Sequence, residues 1–175
     1  MAVFVITAGH SDSDPGSISP TRVTEESIAE EARDMLASAL IARGQAVLMD
    51  GNPGQNLPLN AAMALIGRGA IAVELHTNSA GFTATGVETI SLPKHKALSQ
   101  ALSKALSDAL GLRLRGDKGW IDQSQSARGR LGYVSAGGLI VELFFLSNPN
   151  DYAAWQAKKA RAIEALADVL VDHYG

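Results

Sequence analysis

Gly138-Leu-Ile-Val-Glu-Leu-Phe-Phe-Leu-Ser-Asn-Pro149 is the stretch on which the reading of this chain turns. Leu139, Ile140, Val141, Leu143, Phe144 and Phe145 make a nearly continuous apolar run, the pattern of a strand covered on both faces. Glu142 interrupts it. An unpaired carboxylate in such a strand costs several kcal/mol, so it must be protonated, paired, or turned toward a cleft that holds a cation. The third reading is the one that the rest of the chain fits.

Downstream of this strand, apolar residues at 154, 157, 163, 166, 170 and 171 predict a final helix, with Asn150 or Asp151 as its cap. Upstream, residues 111 to 137 are the least regular part, with Trp120, a polar run over 122 to 126, and Arg128 and Arg130. Before them, apolar positions 97, 98, 101, 102, 105, 106 and 110 predict a helix over 94 to 110. Residues 86 to 92 read as a strand in which Glu88 alternates with apolar residues and is expected to face solvent.

Ala70 to Leu75 is a further strand, ending in His76-Thr-Asn-Ser-Ala-Gly81. An Ala-rich helix is expected over 59 to 66 and a short strand over 45 to 50. Thr24 caps a first helix whose Glu25 and Glu26 suit its positive end, and Gly44 stops it. The first strand, Ala2 to Thr7, runs into Gly9-His10 and a polar loop containing Asp12, Asp14, Pro15 and Gly16. Alternating strands and helices predict one α/β domain over 1–175, a mostly parallel twisted sheet with helices on both faces.

Fifteen basic and eighteen acidic residues give a net charge of -3 without a basic block, which disfavours nucleic acid as a partner. Without cysteine, any metal must be held by His and carboxylate. The apolar N-terminus is short and lacks a basic flank, and no apolar stretch approaches the roughly 20 residues that span a bilayer. A soluble protein, made in the cytoplasm without a signal peptide, is expected.

In open α/β sheets, sites form beyond the carboxyl ends of the strands. His10 and His76 each follow an apolar strand directly, a helix start carrying Glu25 and Glu26 lies on the same side, and Glu142 can face the same cleft. Two His and one carboxylate suffice for a catalytic zinc with a fourth position left to water, and a nearby unligated Glu can take that water's proton. This reading gives one zinc ion to His10, Glu25 and His76 and acid/base work to Glu142. Glu25 and Glu26 are equally good helix starters, so the pattern alone does not choose between them. Glu74 reads as an edge-strand charge more readily than as a partner of His76. Asp12 and Asp14 are explained as well by the Pro15-Gly16 turn as by a metal. His95, between two lysines, and His173, near the C-terminus, read as solvated. G-x-S-x-G, G-x-G-x-x-G, Walker A and H-E-x-x-H motifs are all absent.

Four stretches together resemble the zinc-dependent N-acetylmuramoyl-L-alanine amidases called amidase_3, known from bacterial wall-remodelling enzymes and phage endolysins. They are Thr7-Ala-Gly-His10 with Asp14-Pro-Gly16; Glu25-Glu26; Glu74-Leu-His-Thr-Asn-Ser79 with Gly86-Val-Glu88; and Val141-Glu-Leu-Phe-Phe-Leu-Ser-Asn148. The resemblance covers nearly the whole chain. It implies zinc ligands at His10, Glu25 or Glu26, and His76, a catalytic Glu142, and cleavage between N-acetylmuramic acid and L-alanine in peptidoglycan. Counting back from Gly44 favours Glu25.

The chain departs from many members in reading Gly-His-Ser-Asp-Ser after the first strand. It is closer to compact phage-type catalytic domains than to periplasmic enzymes, and residues 78 to 138 are too short for the cleft-blocking helical insertion that some of those carry. The site is therefore expected to be open, the protein a monomer acting on the bacterial wall after release or export, and targeting to come from this domain or another chain. A zinc peptidase cutting the stem peptide and a non-catalytic wall-binding module are the alternatives. Arg128, Arg130 and Trp120 are candidates for meeting substrate carboxylates or sugar faces.

Overall fold

The apolar runs pair into one six-stranded sheet in a computed structural model that describes residues 1–175. Its strands are β1 (Val3–Ala8), β2 (Ala46–Met49), β3 (Ile71–Asn78), β4 (Glu88–Ser91), β5 (Trp120–Asp122) and β6 (Leu139–Phe145). They lie in the order β2-β1-β3-β6-β4-β5, and every neighbouring pair is parallel except β4 against β6. The mostly parallel α/β sheet expected from the sequence is present, and β5 falls inside the stretch that carried no regular pattern.

The two faces are covered unequally. On one lie α1 (Glu25–Ala42), α3 (Lys96–Leu110) and α5 (Pro149–Tyr174), burying an apolar cluster that includes Phe4, Ile6, Val73, Leu75, Val141 and Trp155. On the other lie only α2 (Leu59–Met63) and α4 (Gly132–Ser135), over Val5, Ala72, Ile90 and Ile140. Side chains alternate along strands, so the residues between these apolar positions face the opposite way. Glu74, His76, Glu88 and Glu142 thereby all fall on the thinly covered face.

α1 forms where its i, i+4 stripe of Ile28, Ala32, Leu36 and Leu40 is buried, and the Thr24 hydroxyl accepts the Ser27 N–H at 3.2 Å. α2 is shorter than its Ala-rich sequence suggested, ending at Met63 and continuing as turns. α5 begins earlier than expected, because Pro149 occupies its first turn, where no N–H is needed, and Asn148 Oδ1 accepts the N–H groups of Asn150 and Asp151. No helix is long and apolar enough to cross a membrane.

Candidate active site

The loop after β1 is fixed by polar contacts on both sides. The Ala8 N–H donates to Asp50 Oδ2 at 3.3 Å, and Asn56 Nδ2 donates to the Gly9 carbonyl at 2.9 Å. Asp50 is in turn held by Arg33 at 3.0 Å, both side chains being fully buried. These contacts keep His10 at φ 63, a left-handed conformation that costs an L-residue roughly 1–2 kcal/mol. Gly9 is demanded by a close approach: a Cβ there would lie 2.2 Å from the His76 ring.

His10, Glu25 and His76 meet at this point. His10 Nε2 lies 3.0 Å from Glu25 Oε2, His76 Nδ1 lies 3.1 Å from Glu25 Oε1, and all the candidate ligand atoms fall within 4.8 Å of one another. The outer nitrogens are also engaged, His10 Nδ1 by Asp14 at 3.1 Å and His76 Nε2 by Glu74 at 2.8 Å. Glu25 is oriented by the Ser17 N–H and hydroxyl and by the Thr77 N–H. Glu26 points elsewhere, into a group with Asp12 and Glu30.

Two expectations need correcting here. His76 lies within β3 rather than in the loop beyond it, since the strand continues to Asn78. Glu74 is no edge-strand charge: β3 sits between β1 and β6, and Glu74 is buried against His76. Asp14 likewise does more than shape its turn, since it holds His10.

The electrostatics follow from this mutual contact. Hydrogen bonding to Glu25 raises the His10 pKa above its ordinary value. Burial opposes charge on His76, but Glu25 and Glu74 outweigh it and hold that imidazole well above its usual range. Burial alone would raise Glu25, yet the two histidines hold it well below ordinary carboxylates. The cluster thus stabilises positive charge between two imidazoles and one carboxylate.

Glu142 pairs in register with His76 on one side and with Glu88 on the other. Its Oε2 is buried and has no hydrogen-bond partner. Burial pushes its pKa up to about 8, with His76 opposing the rise and Glu25 and Glu88 adding to it. Glu88, expected to face solvent, is instead buried and bonded to Arg115 Nε at 2.7 Å and Asn78 Nδ2 at 2.9 Å. Glu142 therefore has an acid for a neighbour whose own charge is already committed.

These groups line a cleft of about 500 Å³. Asn78, Ser79 and Ala80 form part of its wall, and the segment that follows them to Gly86 is tied to the start of α5. Ser147 Oγ accepts the Ala80 N–H, Asn148 Nδ2 donates to the Ala84 carbonyl, and Asp151 accepts from Thr85 Oγ1 and the Gly86 N–H. The Leu-Ser-Asn end of the opening motif thus shapes the cleft without reaching the chemistry. Arg128 lines the cleft. Trp120 does not: its Nε1 donates to Ser91 Oγ and Lys96 lies over its ring at 4.6 Å. Arg130 is exposed beside Ser135 and also lies outside the cleft wall.

The donor set fits a metal ion. Two imidazole nitrogens and a carboxylate converge, and each imidazole's other nitrogen is held by a second carboxylate, the arrangement that fixes tautomer and ring orientation at metal sites.

A model of the amidase_3 family, described as N-acetylmuramoyl-L-alanine amidase, matches residues 4–170. Among solved structures, a Neisseria meningitidis protein assigned as an N-acetylmuramoyl-L-alanine amidase is 38% identical, with a TM-score of 0.89 over 98% of this chain and 95% of that one. The catalytic domain of CwlV, an N-acetylmuramoyl-L-alanine amidase from Bacillus (Paenibacillus) polymyxa var. colistinus, shares the fold at 22% identity and a TM-score of 0.82, over 99% and 98% of the two chains. The N-acetylmuramoyl-L-alanine amidase of Clostridium difficile 630 shares it at 20% identity and a TM-score of 0.80, over 98% and 95%. Comparison with curated proteins gives no match. With one family description spanning almost its full length and a 38% identical relative of the same kind, the chain belongs to the amidase_3 family of N-acetylmuramoyl-L-alanine amidases.

Proposed function

We propose that residues 1–175 form one catalytic domain that hydrolyses the amide between the lactyl group of N-acetylmuramic acid and the L-alanine of the stem peptide in peptidoglycan. His10 Nε2, His76 Nδ1 and Glu25 would hold one zinc ion, and Glu142 would serve as acid and base. When bound, zinc supplies Lewis-acid polarisation of the carbonyl and lowers the pKa of water toward about 7.

The observation that carries this reading is Glu142 itself, a strand-borne carboxyl beside His76 with a buried, unpartnered oxygen open to a proton. The Glu142 carboxylate, which lines the cleft, accepts the proton of the attacking water and returns it to the amine nitrogen as the C–N bond breaks. Burial raises its pKa to about 8, the opposing pull of His76 and His10 included. That brings it toward the range in which one group both takes and returns a proton at neutral pH. Asp14 and Glu74 fix the histidine tautomers, and Ser17 and Thr77 fix Glu25. All these groups come from a single chain, so a monomer is sufficient.

Glu142→Ala tests the assignment. The variant should bind one zinc per chain while losing roughly 10²- to 10⁴-fold in stem-peptide release from purified peptidoglycan. An active variant would remove Glu142 from this role. Mass analysis of the wild-type products should show glycan freed of intact stem peptides; cut stems still attached to glycan would indicate a peptidase.

A further inference from the structure

A second cleft, of about 380 Å³, meets the first at the metal-binding group. His10, His76, Arg128, Leu131 and Ile140 line both. Glu25 and Glu142 face only the first, whereas Glu74, Asp14 and Tyr133 face only the second. The scissile bond joins two unlike halves, a sugar and a peptide, and must lie where the clefts join.

The proton decides which half goes where. Glu142 delivers it to the leaving nitrogen, which belongs to the stem peptide, so the peptide lies on the Glu142 side. The acyl half, carrying the sugar, then extends into the second cleft, past Leu59 and Tyr133.

Arg128 sits at the junction, exposed. The other cation of the first cleft, Arg115, is committed to Glu88 at 2.7 Å and lies over the Phe145 ring. Arg33 and Arg43 are likewise paired with acids, and of the arginines that make no ion pair within the chain Arg128 is the one that lines these clefts. Its planar guanidinium is thus free to bond a carboxylate in two-pronged fashion.

We propose that Arg128 reads a free carboxylate on the stem peptide seated beside Glu142, an inference that rests on the amidase reading above. Arg128 thereby makes this site selective for acidic over amidated stems.

The test uses the zinc-loaded chain and two synthetic N-acetylmuramoyl peptides that differ only in a free or amidated carboxylate on the residue after L-alanine. The wild type should prefer the free acid by about five- to tenfold in kcat/KM, chiefly through KM. Arg128→Ala should bring that ratio close to one, and Arg128→Lys should keep part of it. A wild type without preference, or an Arg128→Ala variant that retains it, overturns the role of Arg128. A zinc-loaded wild type that cleaves neither compound overturns the amidase reading, and this proposal with it.

Discussion

The face of the sheet beneath α1, α3 and α5 buries a cluster of 27 apolar residues, and the face beneath α2 and α4 buries one of seven. The same strands build both. On the crowded side β3 runs Ile71, Val73 and Leu75 before Thr77; on the thin side the series runs Ala72, Glu74, His76 and Asn78. Likewise β6 passes from Ile140 to Glu142 on its thin side while Val141 and Leu143 stay buried among helices. Rigidity and reactivity are thereby separated by the thickness of one sheet. The buried acids remain tolerable because Glu25, Glu74 and Glu88 each face a histidine, an arginine or an amide, while at Glu142 burial raises the pKa instead.

The largest expected effect breaks the crowded side alone. Trp155 is fully buried on α5 and stacks on Phe144 with ring centroids 5.4 Å apart. Trp155→Ala should cost about 3–5 kcal/mol in chemical denaturation. The fraction that stays folded should still take up one zinc per chain. Loss of zinc ahead of global unfolding would show that the two faces are not separable.

A smaller effect grades the thin side. Glu74→Gln should weaken zinc binding roughly 10- to 100-fold in competition with a chelator, because Glu74 is buried where it holds His76. Asp14→Asn should weaken it less, since the Asp14 side chain is 63% exposed and water can take its place at His10. Equal losses, or the reverse order, would mean that burial does not govern the strength of these outer contacts.

How far the sequence could be read follows from the same contrast. The crowded side writes itself in periodic apolar residues, so the strand and helix order, the helix start at Glu25 and the strands leading to His10 and His76 were legible. The thin side depends on pairing across the sheet, which spacing does not reveal. β4 runs antiparallel to β6, so its first residue, Glu88, reaches the same edge as the end of β3; a uniformly parallel sheet would have sent it away. β5 is three half-buried residues long and offers no period to detect. The partners Asp14 and Glu74 sit four and two residues from the histidines they hold, but sequence proximity cannot show which nitrogen they meet. Gly9, directly before His10, was a usable signal for a close approach, as Pro149 was for the cap at Asn148.

The central claim is that His10, Glu25 and His76 hold one zinc ion beside Glu142. Anomalous scattering at the zinc absorption edge, measured on crystals of the protein as purified, tests it most directly. The account predicts a single peak bounded by His10 Nε2, His76 Nδ1 and the Glu25 carboxylate. A peak instead among Asp12, Glu26 and Glu30, the chain's other group of converging acids, or no peak at all, would contradict it.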